Sequence, residues 1–447
     1  MKFLLALLLL TVSALAQSGW QAGAARAVIT PTQSPTWMSG YAGRNKPAEG
    51  KAQELYAKAL ALKDGKGHGV VMITLDLIGT PRILRERLAT RLQKERGLAH
   101  EALLLNSSHT HCGPEYRIQG QAGIFLEVGE PAAAEAYGTW LEEQLHQLAC
   151  QALDALQPAE LSYHHARCGF AMNRRLLVED QYKILPNPDG PVNHEVPVLR
   201  ITDAKGPIKA LLFGYACHNT TLSFTQWCGD YAGYTQEYLE AEHPGAVALF
   251  MQGCGADQNP YPRGRLELAQ YHGRALATAV GAALAGPPRE VKGSLSVTLG
   301  DVDLPFAPQP DRAGFEARLN SPDKRLAEHA RRMLSRLDKE GALPTSYPFP
   351  IQVVRLGNLT FVALGGETVV DYSFRLQREL AAQGIIWVAA YSNDVMGYIA
   401  SRRVLQEGGY EAGDSMKMGN LPFPWAADIE ERIMQKAHAL VKQAGEK

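Results

Sequence analysis

Hydrophobic positions in this chain switch between a period of two and a period near four from end to end. Alternation in LYAKALAL, a turn at Asp64-Gly65-Lys66-Gly67 and the apolar run VVMITLDLIG from Val70 predict a hairpin whose second strand is buried. Thr80 reads as an N-cap with Pro81 at the first helical position, and Leu84, Leu88 and Leu92 carry an amphipathic helix to a stop at Gly97. ALLLNS predicts the next buried strand. Trp140, Leu141, Leu145, Leu148, Ala152 and Leu156 predict a second helix between Pro131 and Gln157. LSYHHA is strand-like. The stretch from Phe170 to His194, with Asn173-Arg174-Arg175 and Pro186-Asn187-Pro188-Asp189-Gly190, reads as an irregular loop on its turn residues. Strands VPVLRIT and IKALLFGYA, a helix from Tyr231, strand AVALFMQ and a helix from Leu266 to Ala285 continue the alternation. EVKGSLSVTLGDVDL is a longer extended run, and Arg312 to Lys339 a charge-rich helical segment. IQVVRL and LTFVAL form a hairpin about Gly357-Asn358; a helix from Thr368 to Ala382, strand IIWVAA and a terminal helix follow. The expected fold class is therefore α/β, or mixed α+β: a large sheet-based domain with flanking helices.

Four of the apolar runs end in a side chain that can ligate metal. LLLNSSHTH ends in His109 and His111, ALLFGYACH in His218, LTFVALGGE in Glu367, and IIWVAAYSNDVMGY in Tyr398. The carboxyl ends of strands in helix-flanked sheets open onto the ligand crevice, so residues this far apart can meet there. Two imidazoles, a carboxylate and a phenol are a mixed nitrogen and oxygen set that a catalytic zinc accepts, which places an expected zinc site at the carboxyl ends of the strands. Each residue also has a plainer reading: polar strand ends for the histidines, a first-turn helix acid for Glu367, and a packed phenol for Tyr398. Asp230 either orients a ligand histidine or caps a helix. The glycine-rich turn in ALFMQGCGADQNP puts Asp257 and Asn259 at the same rim, either as an oxyanion cradle or as ordinary loop chemistry.

Composition narrows the setting. The 447 residues are 46% hydrophobic and 20% charged, and 45 basic against 46 acidic side chains leave no electrostatic footprint for nucleic acid and no polybasic face for anionic lipid. Lys2, the apolar run Phe3 to Leu10 and Ala14-Leu15-Ala16 read as a signal peptide over residues 1–16, leaving residues 17–447 as one exported domain, secreted or periplasmic, with no later membrane span. Six cysteines, Cys112, Cys150, Cys168, Cys217, Cys228 and Cys254, are enough for up to three disulfides in such a chain, and their spacing suits packing or bridging better than metal ligation.

Together these motifs resemble the amidohydrolase domain of the neutral, non-lysosomal ceramidase family. SSHTHCGP looks like that family's THTHSGP, which implies a zinc ligand at His109 and a substrate-side catalytic group at His111. ACHNTT resembles VHGTSM and implies a second zinc histidine at His218; GDYAGY is similar to GDNKGY. ALGGETVVDYSFRL resembles VPGEFTTMAGRRL and carries the zinc glutamate onto Glu367. YSNDVMGYI resembles LSNTYTHYI and carries a zinc tyrosine, counted also among the catalytic groups, onto Tyr398. Substrate-binding roles are implied for Arg174, for Tyr410 in GGYEAG and for Gly40 in MSGYAGR. Two departures stand out. Asn259 in GADQNP replaces the serine of the family's GDVSP, where it takes that residue's place as a catalytic candidate. The chain also ends soon after these motifs, without room for the family's C-terminal immunoglobulin-like domain. The resemblance implies a Zn2+-dependent hydrolase acting on the amide of an N-acyl-sphingosine or related N-acyl lipid, with transient contact at a membrane surface. The alternatives are a zinc amidase or esterase for a different exported substrate, and a non-catalytic metal-containing binding protein.

Overall fold

The computed structural model describes residues 19–32, 36–119, 130–203 and 206–446, so the signal-peptide reading lies outside the described residues. Strands β1 (Trp20–Val28), β2 (Tyr56–Lys63) and β3 (Gly69–Leu75) lead through helix α1 (Arg82–Arg96) to β4 (Leu103–Ser107). Helix α2 (Pro131–Asp154) precedes β5 (Gln157–Arg167). Next come β6 (Ala171–Val178), β7 (Gln181–Asn187), β8 (Glu195–Asp203), β9 (Ile208–Tyr215), α3 (Asp230–Glu242) and β10 (Val247–Gln252). Short strands β11 (Gln258–Pro260) and β12 (Arg289–Glu290) bracket α4 (Leu266–Ala285). The remainder is β13 (Leu295–Pro305), α5 (Arg312–Arg318), α6 (Lys324–Glu340), β14 (Ser346–Leu356), β15 (Leu359–Leu364) and β16 (Glu367–Thr368). Helix α7 (Val370–Glu379), β17 (Ile385–Ala389), β18 (Tyr398–Ile399), α8 (Arg402–Glu407) and α9 (Ile429–Glu446) complete it.

The mixed α/β architecture matches the expectation, with one refinement: the ligand-bearing runs belong to two large sheets. The first runs β10-β9-β8-β5-β1-β2-β3-β4, with β12 paired to β5; the second runs β13-β14-β15-β17. Side-chain alternation explains how both faces become buried. On β2, Ala57, Ala59 and Ala61 belong to the core under α1 and α2, whereas Leu60 and Leu62 share a core with Phe361 and Trp387 of the second sheet. Helices α3 and α4 cover the β8–β10 end, and α7 and α9 cover the outer face of the second sheet. Helices therefore flank a sheet-on-sheet core.

Asn106, at the end of β4, draws the relevant strand ends together. Its side chain accepts from Gln252 N on β10 (2.8 Å) and donates to Ala390 O just beyond β17 (2.6 Å). The two edge strands of the first sheet thus meet each other and the second sheet at one point. There the parallel pairs β3/β4, β9/β10 and β15/β17 all release their chains.

Several local expectations are corrected. The Phe170–His194 stretch is a hairpin, β6 and β7, turning through Glu179 and Asp180 at positive φ (51° and 60°), the left-handed geometry that suits the twist of paired strands. Residue Pro81, not Thr80, is the N-cap of α1, because its extended ψ of 147° keeps it outside the helix. The 312–339 segment is two helices: α5 ends at Arg318, and after Pro322 the Asp323 carboxylate caps α6 by accepting from Arg325 N and Leu326 N. All six cysteines are free thiols, five of them buried in the packing. No helix among the described residues is long and apolar enough to cross a membrane.

Candidate metal centre and cavity

His109 follows β4 through Ser108 and sits at φ 64°, a left-handed backbone that a non-glycine residue adopts only when its surroundings compel it. Its N–H donates to Leu77 O (3.0 Å), and its Nδ1 lies 2.6 Å from Ile78 O. His218 follows β9, with Nδ1 2.7 Å from Gly255 O. A carbonyl only accepts, so both rings carry hydrogen on Nδ1 and present a lone pair at Nε2. Burial, then the charge of Arg174, lowers the His218 pKa to about 3, which keeps that imidazole neutral.

Glu367 reaches the same point from the second sheet. Gly366 turns at φ 61°, and Glu367 opens β16, whose parallel register sets it directly beside Tyr398 of β18. The residue is therefore in a strand rather than in the first turn of α7. Its Oε2 lies 3.1 Å from His109 Nε2 and 3.4 Å from His218 Nε2, and the Tyr398 hydroxyl lies 3.2 Å from His218 Nε2. With no ion between them, the buried Glu367 carboxyl would be held low only by charge on the facing His109 and His218. Glu367 Oε2 is nevertheless a buried acceptor without a conventional donor. Lone pairs converging this closely call for a cation between them. A small divalent ion with bonds of about 2.0–2.1 Å holds tetrahedral ligand atoms roughly 3.3–3.4 Å apart, and the observed separations fit that edge.

His111 belongs to the same cluster, its Nε2 being 3.1 Å from His109 Nε2, and the nitrogens of His109, His111 and His218 all lie within 4.8 Å of one another. This trio can hold a metal. His111 differs from the other two in its second nitrogen: Nδ1 has no hydrogen-bond partner. Its ring is gripped by packing instead, against Tyr41 at 4.5 Å between centroids, and against Gly40, where a Cβ would come within 2.5 Å of the ring.

Arg174 stands behind the cluster rather than in the open cavity. Its Nη2 donates to the Tyr398 hydroxyl (3.0 Å), Nη1 to Asn259 Oδ1 (3.3 Å) and Nε to Glu411 Oε1 (2.7 Å). A bulge between Asn173 and Arg175 turns both neighbouring arginines inward, and Arg175 Nη1 donates to the other oxygen of Glu411 (2.6 Å). Glu411 was not singled out by the sequence; only its place beside Tyr410 hinted at it. Asp230 does not orient a ligand histidine: it accepts from Leu222 N and Tyr231 N at the start of α3. The glycine-rich turn after β10 offers no oxyanion cradle, since Gly253, Gly255 and Ala256 donate their N–H groups to Tyr215, Gly253 and Thr368 carbonyls. Asp257 there accepts from Val370 N, and burial, then Asp371, pushes it up to about 7.

Above the cluster opens a cavity of about 820 Å³, lined by Gly40, His109, His111, Glu367, Tyr398 and Tyr410 together with several methionines. A buried acceptor cluster at the floor of an apolar chamber of this size is the form of a small-molecule site.

No curated protein matches the sequence. Among solved structures, neutral ceramidase from Pseudomonas aeruginosa superposes with a TM-score of 0.74 at 21% identity, covering 95% of this chain and 75% of that one. A second, titled "Ceramidase complexed with C2", gives 0.73 at 19% identity, covering 96% of this chain and 75% of that chain. These likenesses establish the fold. Residues 20–264, more than half of the chain, match the family described as neutral/alkaline non-lysosomal ceramidase, N-terminal, and the chain belongs to that family.

Proposed function

We propose that this chain is an exported zinc hydrolase, secreted or periplasmic, that cleaves the amide of an N-acyl-sphingosine or a related N-acyl lipid, and that residues 17–447 form a catalytic domain. The observation that carries this reading is the meeting of Glu367 Oε2 with the Nε2 atoms of His109 and His218, at 3.1 and 3.4 Å, beneath an apolar cavity. His109, His218, Glu367 and Tyr398 are the residues to hold the ion. Bound zinc supplies Lewis acidity, polarising a carbonyl and bringing the pKa of a water down to about 7.

The protein's own groups do the rest. His111 accepts a proton from the attacking water and returns it to the leaving amine. One feature favours it for that role over the ligand histidines: its Nδ1 has no backbone anchor among the described residues, whereas those of His109 and His218 meet carbonyls. Arg174 fixes the Tyr398 hydroxyl, with Glu411 holding the guanidinium in place. Asn259 accepts from Arg174 and from the Thr220 hydroxyl at Oδ1, which leaves its amide N–H as the end that can donate to a substrate oxygen. Tyr410, 5.3 Å from the Tyr398 ring, and Gly40 shape the space where the acyl group lies. An apolar cavity favours a lipid tail, and entry of such a tail calls for transient contact with a membrane surface.

The test is metal analysis of the purified protein together with hydrolysis of N-acyl-sphingosines of graded chain length, before and after chelation. One zinc per chain and a chelator-sensitive, zinc-restored activity are expected. Inactivity toward every chain length overturns the substrate, and absence of stoichiometric zinc overturns the chemistry.

A further inference from the structure

Four of the ten methionines in the sequence, Met38, Met396, Met416 and Met418, line the cavity, thioethers that adapt to a flexible chain. Among the described residues, five charged side chains also reach it. Four of them are engaged: Glu367 with the histidines, Asp394 with Arg82 and Tyr347, Arg44 with the Ser39 and Phe224 carbonyls, and Arg336 with Glu340. Arg325 is the exception. It stands in the first turn of α6, and its guanidinium makes no hydrogen bond or ion pair among the described residues. Its neighbour Lys417, by contrast, is neutralised twice, by Asp323 and Asp414.

Ser415 adds an independent sign. It lines the same cavity from the 3-10 turn Asp414–Met418, which packs on α6. Only 9% exposed, its hydroxyl has no hydrogen-bond partner among the described residues. A buried hydroxyl left so costs stability unless a ligand oxygen completes it. A solvent-exposed, unpaired guanidinium and a buried, unclaimed hydroxyl on adjoining elements of a methionine-rich chamber suit oxygens that carry negative charge.

We propose that the substrate of this site is an N-acyl amine bearing an anionic group, a carboxylate or a phosphate, whose oxygens are received by Arg325 and Ser415 while the acyl chain lies along the methionines. The inference rests on the amide-hydrolase reading and deepens it: among N-acyl lipids, those bearing an anionic group are the preferred substrates of this site.

The metal-loaded protein is to be assayed on N-octanoylglycine, N-octanoyl-O-phosphoethanolamine and neutral N-octanoylethanolamine. Dissociation constants are to be measured in parallel for octyloxyacetate and octyloxyethanol, ethers that cannot be hydrolysed. The expected result is a preference of about tenfold or more for the anionic member in both assays, falling toward parity in Arg325→Ala, retained in part by Arg325→Lys, and reduced in Ser415→Ala. The ratio between glycine and phosphate amides distinguishes the two anions. Parity in the wild type, or an anion preference that survives Arg325→Ala because the anion binds the metal, overturns the proposal. Amide turnover with no Arg325-dependent preference sinks it alone. Arg325-dependent ether binding without any amide turnover sinks the hydrolase reading instead, and the loss of both overturns both.

Discussion

Gly40 decides where His111 points. At φ 101° it occupies backbone space that other residues rarely adopt, and a Cβ there would strike the imidazole. Gly40→Ala should therefore displace His111 without touching the proposed ligands: about a hundredfold loss in kcat with metal content unchanged, read by steady-state kinetics and metal analysis. A second single-residue prediction concerns pH. Burial pushes the Asp76 carboxyl up to about 6, against relief from Tyr56 N, Lys58 and Gln236 and a further push from Glu237. The raised folded pKa means that this residue's contribution is fully present below pH ~4 and is lost as pH rises through about 6. Asp76→Asn, which keeps an acceptor for Tyr56 N, should gain on the wild type across that window by on the order of 2 to 3 kcal/mol, measured as the difference in unfolding free energy at pH 4 and pH 7.5. Equal pH slopes for the two proteins would contradict it. His109, His218, Glu367 and Tyr398 were legible because each closes an apolar run, so the sequence already placed them near strand ends. The carbonyls of Ile78 and Gly255 that set the tautomers were not, because a backbone oxygen leaves no mark in a sequence.

Among the elements, the β6–β7 hairpin shows why local patterning fails in places. Its turn residues and paired arginines read as a loop, yet its inner strand is held by three-residue β11 and by carboxylates more than two hundred positions away. Tertiary contacts of that kind override local preference. By contrast, α4 spans the residues that the local pattern predicted, about Leu266 to Ala285, since that signal is local. Glu411 is the tie between the hairpin and the segment after α8, at 1% exposure and bonded to both arginines. Glu411→Gln should cost about 3 to 5 kcal/mol, because removing one member of a buried ionic group leaves its partners uncompensated. Chemical denaturation checks this, and a change below about 1 kcal/mol would show that the network is hydrated rather than buried.

Across the whole molecule, two sheets that share no strand are joined at the donor cluster, with Asn106 one of the polar ties between their ends. Which runs paired into which sheet was not legible, since central strands such as β2 and β15 are buried on both faces and apolar pattern alone does not name a partner. The arrangement makes stability depend on what fills the cluster. Without a cation, the acceptors of Glu367, His109 and His218 oppose one another across the seam between the sheets. An ion that binds only the folded chain adds RT ln(1 + [M]/Kd), about 4 kcal/mol at a thousandfold excess over Kd. Chelation should therefore lower the melting temperature of the whole domain in one transition, and added zinc should restore it. The same titration on His109→Ala/His218→Ala should leave the melting temperature flat, because two of the lone pairs that attract the ion are gone. A wild-type melting curve indifferent to both chelator and zinc would remove the metal from the seam, and with it the reason for these four strand ends to converge.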